Sequence, residues 1–252
     1  NMSLKRIMPC LLVKDRRLVK TINFEDPKYV GDPINAVKIF NDKEVDELVV
    51  LDINASKVNS TIDFELLKDF ASECFMPLAY GGGVKNLSDF KKLFNLGIEK
   101  IIINTLIFDN PETLKLAAQK FGSQSVVASI DVVKDRNGDF QIFSHSGRNS
   151  DMGFSDFLKY VETLNVGEVL ITSVDRGGTW SGFDENLIRL VDLQVCIPVI
   201  ANGGCGSPSH LTSILYHTGV QAAAIGSMAV YQKKDMGVLI RFPKRDSIII
   251  DE

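Results

Sequence analysis

The sequence predicts a (β/α)8 barrel, a closed ring of eight parallel strands with helices outside. Three observations carry this reading. Short apolar runs bounded by turn residues recur along the 252 residues and alternate with amphipathic segments, the pattern of repeated βα units around a parallel sheet. No linker or low-complexity stretch interrupts them, so residues 1–252 read as one domain. The two halves also echo each other, which argues against an open doubly wound sheet, as does the lack of a G-x-G-x-x-G opening after the first run.

The eight expected strands cover residues 6–13, 47–53, 77–80, 100–104, 126–132, 168–174, 198–201 and 222–226. Helices are expected between them at 62–74, 87–96 and 111–121. The last has Asn110 as N-cap, Pro111 at its first position and Gly122 just past its end. In the internal repeat, Tyr80-Gly81-Gly82-Gly83-Val84 corresponds to Asn202-Gly203-Gly204-Cys205-Gly206, and Ile103-Asn104-Thr105 to Ile225-Gly226-Ser227. Leu51-Asp52-Ile53-Asn54-Ala55-Ser56 likewise falls where Thr172–Thr179 falls in the second half. The stretch PCLLVKD at 9–15 then pairs with SIDVVKD at 129–135, and Leu12 becomes the counterpart of Asp131.

The composition sets bounds on function. With 45% apolar residues and a net charge of −4, the chain can build one large core and gives no electrostatic reason to expect nucleic acid or an anionic membrane. Cys10, Cys74, Cys196 and Cys205 lack C-x-x-C spacing, and no signal peptide or membrane-length apolar run is present, so a reduced, cytoplasmic protein is expected. His145, His210 and His217 show no H-x-x-x-H spacing; neither a catalytic metal nor a cofactor is expected.

Glycine runs directly after the third and seventh strands let a ligand approach bare backbone N–H groups, and the helix starts after the fourth and eighth add donors. Two phosphate sites are therefore expected at the C-terminal mouth. One would use Gly83, Asn104 and Thr105, the other Gly178, Gly204, Gly226 and Ser227. The same glycines also suit tight turns. A bis-phosphate ligand would lie across the mouth with its middle over Leu12 and Asp131. Asp131 is the candidate general acid or base, whereas leucine can neither give nor take a proton. At the opposite face, Arg6, Glu47, Lys100 and Glu168 each open a predicted strand, with alternating sign. Pointing inward, they would close the floor as a neutral ring of ion pairs.

These residues sit in motifs that resemble the cyclase subunit of imidazole glycerol phosphate synthase, of the HisF family in histidine biosynthesis. The motifs are KRIMPC, DELVVLDI, YGGGV, EKIIINT, FGSQSVVASID, GEVLITSVDR and ANGGCG, and they span nearly the whole chain. The resemblance implies a glutaminase partner at the N-terminal face, whose ammonia enters through a gate matching Arg6, Glu47, Lys100 and Glu168. It implies that Asp131 is one of two catalytic aspartates, that the phosphate loops bind the substrate, and that Lys20 lies on a mobile first loop. Two positions depart from the family: Leu12 replaces the other catalytic aspartate, and Gly177 in DRGGT stands where the family writes DRDGT.

The chain more closely resembles a divergent branch that occurs with bacterial surface-sugar genes. In that branch the barrel and its glutaminase feed ammonia to a separate amidotransferase making acetamidino sugars, a step in lipopolysaccharide biosynthesis. The alternative is a true cyclase and lyase in which Lys20 or Asp52 has taken over the missing proton transfer. A related single-chain sugar-isomerase barrel is a third possibility.

Overall fold

The computed structural model describes residues 5–43, 45–55, 61–144 and 152–248. Ser56 and His145 lie outside the described residues. In chain order the elements are β1 (Arg6–Lys14), β2 (Arg17–Ile22), β3 (Glu25–Gly31), α1 (Pro33–Asn41), β4 (Leu48–Asp52), α2 (Phe64–Glu73), β5 (Leu78–Gly81) and α3 (Leu87–Asn95). Then follow β6 (Lys100–Ile103), α4 (Thr105–Asp109), α5 (Pro111–Phe121), β7 (Val126–Lys134), β8 (Phe140–Phe143), α6 (Phe154–Glu162) and β9 (Glu168–Ser173). The chain continues through α7 (Glu185–Gln194), β10 (Val199–Asn202), α8 (Pro208–His217), β11 (Ala222–Ile225) and α9 (Ser227–Val230).

Eight parallel strands, β1, β4, β5, β6, β7, β9, β10 and β11, pair in that order, and β11 returns to β1 with Arg6 opposite Ala222 and Pro9 opposite Ile225. That pairing closes the sheet into a barrel and leaves none of the eight with a free edge. Alternation along each strand separates two cores. Inward residues including Met8, Val49, Ile102, Leu170 and Ile200 fill the barrel, while their neighbours, such as Ile7, Val50, Ile101 and Ile171, pack under the helices.

The helices begin where side-chain caps allow. Asn110 accepts from the Thr113 N–H with Pro111 opening α5, and Asn86 with Asp89 forms a reciprocal capping box at α3. No helix among the described residues is long and apolar enough to cross a membrane.

Two features go beyond the eight predicted units. β2 and β3 form an antiparallel hairpin that continues β1, and β8 folds back on β7. The hairpin turns at Asp15-Arg16 and Asn23-Phe24, where all four residues have positive φ of 48 to 66°. Such turns usually announce themselves by Asn-Gly or Asp-Gly, which this chain lacks there. The eighth unit has only the four-residue α9. After it the chain descends the barrel wall without a full helix, burying Ile248 and partly burying Ile240 and Phe242.

Candidate functional site

The four charges at the floor meet. Arg6 Nη1 lies 2.9 Å from Glu47 Oε2 and its Nη2 lies 2.5 Å from Glu168 Oε1. Lys100 Nζ completes the circuit, 3.1 Å from Glu47 and 3.0 Å from Glu168. Each cation touches both carboxylates, so the ring is neutral and every charge has two partners. This arrangement offsets the desolvation of Glu47 and Glu168, whose side chains are only 6% and 12% exposed. Register explains the convergence. Arg6 and Lys100 are each the first residue of a strand, two positions below the inward-facing Met8 and Ile102.

Above the ring, the apolar inward residues form a cluster that includes Cys10, with small residues, Ala79, Ala222 and Ala224, on β5 and β11; toward the mouth, alternation adds the buried polar Ser129 on β7 and Thr172 on β9. Burial pushes the Cys10 thiol up to about 11, with nearby Lys20 opposing and Asp131 adding to the shift. The thiol therefore stays protonated at neutral pH.

At the mouth, Asp131 is 5% exposed and faces inward on β7, beside Asn104. Asn104 Nδ2 donates to Asp131 Oδ2 at 3.2 Å and to the Ser129 carbonyl at 3.0 Å. Its Oδ1 is buried with no hydrogen-bond partner among the described residues. Leu12 has the same inward parity on β1 as Met8 and Cys10, and is partly exposed. Lys20, on β2, folds under the hairpin into the mouth. Its Nζ lies 2.9 Å from where a side chain on Gly226 would begin, and burial lowers its pKa. Thr105 and Ser227 open the short helices α4 and α9 at the same face.

The glycines have packing reasons of their own. Gly83 and Gly204 have positive φ, 67° and 96°, and each lies beneath a carbonyl of the preceding loop, that of Ala55 or Gly182. A side chain at either would strike that backbone. Gly178 (φ 76°) lies under the Thr21 carbonyl, and Asn23 N–H donates to the Gly177 carbonyl at 2.8 Å. The Gly-Gly pair after β9 is thus the seat of the hairpin. Sequence reasoning misses this seat, because the adjacent glycines at 177 and 178 do not show which distant segment packs on them.

Asp52 does not join the mouth cluster. It alternates with the inward Leu51, so its carboxylate faces the helix layer beside Val13, Leu66, Phe70 and Tyr80. There it accepts from the Asn54 and Ala55 N–H groups, at 2.9 and 3.1 Å. Burial raises its pKa against the effect of those two hydrogen bonds.

A profile of the family described as "Histidine biosynthesis protein" matches residues 6–235, from the floor of β1 to just past α9. The chain belongs to this family. Among family members, a Pseudomonas aeruginosa protein named "Putative imidazole glycerol phosphate synthase subunit hisF2" is 47% identical over 240 residues, covering 95% of this chain and 96% of its own. The imidazole glycerol phosphate synthase subunit HisF of Hydrogenobaculum is 38% identical across 97% of both chains, and that of Methanococcus vannielii 36% identical across 97% of both. The tail beyond residue 235 lies outside the family match.

Proposed function

We propose that this protein is a HisF-type synthase subunit that receives glutamine-derived ammonia at its floor and conducts it through the barrel, while its own ring-closing activity is lost. The observation that carries the reading is the closed Arg6–Glu47–Lys100–Glu168 ring lying directly beneath the apolar inward cluster of the barrel. An ion would have to shed its hydration to pass that cluster, at a cost of about several kcal/mol. Ammonia carries no charge and passes at far lower cost. Among the described residues the mouth, by contrast, has Asp131 as its inward carboxylate, with Leu12 at the position of the second.

The partner is a HisH-like glutaminase at the N-terminal face. Phe75 and Leu193, each 84% exposed, lie at the ends of helices that lead into strands, on the face that carries the ring. A phosphorylated ligand sits at the mouth, over Gly83, Asn104 and Thr105 on one side and Gly178, Gly204, Gly226 and Ser227 on the other, with Lys20 as an added cation. The ammonia is consumed by a separate amidotransferase that builds an acetamidino group on a surface-polysaccharide sugar.

The test supplies ammonia directly to the purified protein and measures imidazole glycerol phosphate formation, then adds a cognate glutaminase and measures glutamine hydrolysis. Negligible ring closure with a stimulated glutaminase is expected; ring closure at the rate of a histidine-pathway subunit would refute the conduit reading. The second reading, a working cyclase and lyase, is favoured by Lys20, whose Nζ lies in the mouth beside Gly226 and whose pKa is lowered by burial, which eases release of its proton. In that reading Lys20→Ala abolishes turnover.

A further inference from the structure

The tail beyond the family match reaches the floor. After α9, Arg241 N–H donates to the Ala229 carbonyl and Arg241 Nε to the Met228 carbonyl, holding the tail to the last unit. Four residues later Arg245 binds at the opposite end of the barrel. Its Nη1 donates to the Lys5 carbonyl at 3.2 Å, and its Nη2 pairs with Asp46 Oδ1. Four extended residues span roughly 13 Å, enough to cover much of the height of a short barrel strand. Asp46 uses its second oxygen, Oδ2, to accept the Ile7 N–H at 2.9 Å.

This geometry brackets one corner of the ring. Arg6 lies between Lys5 and Ile7, and Glu47 follows Asp46. Arg245 therefore ties together the backbones on either side of the Arg6–Glu47 pair, using groups that make no contact with the ring itself. Arg6 and Lys100 are long side chains that must each reach two carboxylates, and ion pairs of this kind hold only while their backbones are fixed. Asp46 is 14% exposed and Arg245 35%, so the latch is shielded but not sealed.

We infer that Arg245 is a positioning residue of the floor ring, so that the tail sets how firmly the floor stays closed. The inference rests on the proposed conduit only in calling the ring a gate; the mechanical link stands apart from it. Arg245 does not touch any ligand in this scheme and acts through Asp46 and the start of β1.

The experiment uses the full chain with Arg245→Ala, Arg245→Lys and Asp46→Asn. Two local readouts are followed: amide hydrogen exchange at Ile7, and acetylation of Lys100 mapped by mass spectrometry with exposed Lys120 as reference. Arg245→Ala should raise both by about tenfold while the mid-barrel amides of Ile102 and Leu170 stay protected, the signature of a local opening. Arg245→Lys should restore most of the protection. Asp46→Asn keeps an acceptor for Ile7 but weakens the ion pair, so it gives a smaller increase and serves if Arg245→Ala does not fold. Unchanged Ile7 exchange and Lys100 labelling in folded Arg245→Ala would overturn the inference, as would their rise only together with the mid-barrel amides. Ammonia escaping to solvent in the glutaminase complex reads the gate separately. Increased Lys100 labelling without increased escape supports the Arg245 link and removes the gate reading instead.

Discussion

At the scale of single residues, the mouth differs from an acid–base pair by one side chain. Leu12 and Asp131 occupy equivalent inward positions on β1 and β7, the first and fifth strands of the barrel. Leu12→Asp should therefore raise imidazole glycerol phosphate formation from added ammonia by about a hundredfold over the unmodified protein, the lower end of what a positioned acid or base contributes. Little or no gain over an already high rate would point to the working cyclase. His210 gives a second test. Its Nδ1 accepts the Gly206 N–H at 3.1 Å, bracing the glycine loop after β10, and burial, helped by Arg176, holds its pKa below 6.5. As pH falls, the unfolded chain takes up this proton before the folded one does. The contribution is thus intact above pH 6.5 and is lost as pH drops through the lowered folded value. Urea unfolding at pH 7.5 and 5 should show the loss, and His210→Gln, which keeps an acceptor, should reduce it.

At the scale of elements, the hairpin and the ring each depend on neighbouring strands meeting in one register. A side chain at Gly178 would collide with the Thr21 carbonyl and lie 3.0 Å from Ile22 Cα. Gly178→Ala should therefore lift the β2–β3 hairpin from its seat, seen as faster proteolysis between β1 and α1 and as easier acetylation of Lys20, with the barrel still folded. Unchanged Lys20 reactivity would show that the seat is unimportant. At the floor, Glu47→Ala leaves Arg6 and Lys100 sharing Glu168. The expected loss is up to about 3 kcal/mol in denaturant unfolding, reduced by the access that both cations keep to water. The ring residues were legible because charge at the start of an apolar strand is unusual and the signs alternate. The hairpin was not, since its turns place Asp15, Arg16, Asn23 and Phe24 at positive φ without glycine.

For the whole molecule, the seam between β11 and β1 is covered by the descending tail in place of an eighth helix. Ile248, 4% exposed, packs into the outer core there, and its carbonyl accepts from Thr212 Oγ1 at 3.0 Å. Ile248→Ala should cost about 2–4 kcal/mol of stability by thermal or urea unfolding. A loss near zero would mean that the tail adds nothing to the closed barrel. The last stretch of the cover is extended because Arg241 is still bonded to α9 carbonyls while Arg245, four residues on, reaches Lys5 and Asp46 at the floor; four extended residues span roughly 13 Å and four helical ones only about 6 Å.

The sequence alone determined the barrel, its eight strands and the residues of the floor, because strand alternation, glycine punctuation and internal repetition are local properties written in residue order. It also showed that Asp131 lacks its carboxylate counterpart. Only the tertiary structure decided that Asp52 faces the helices, that Gly177 and Gly178 seat a hairpin, and that Arg245 reaches the ring's flank. Each of these depends on which backbone lies within a few ångströms of another distant in the chain, and closure of the sheet, which brings residue 222 beside residue 6, is what sets those distances.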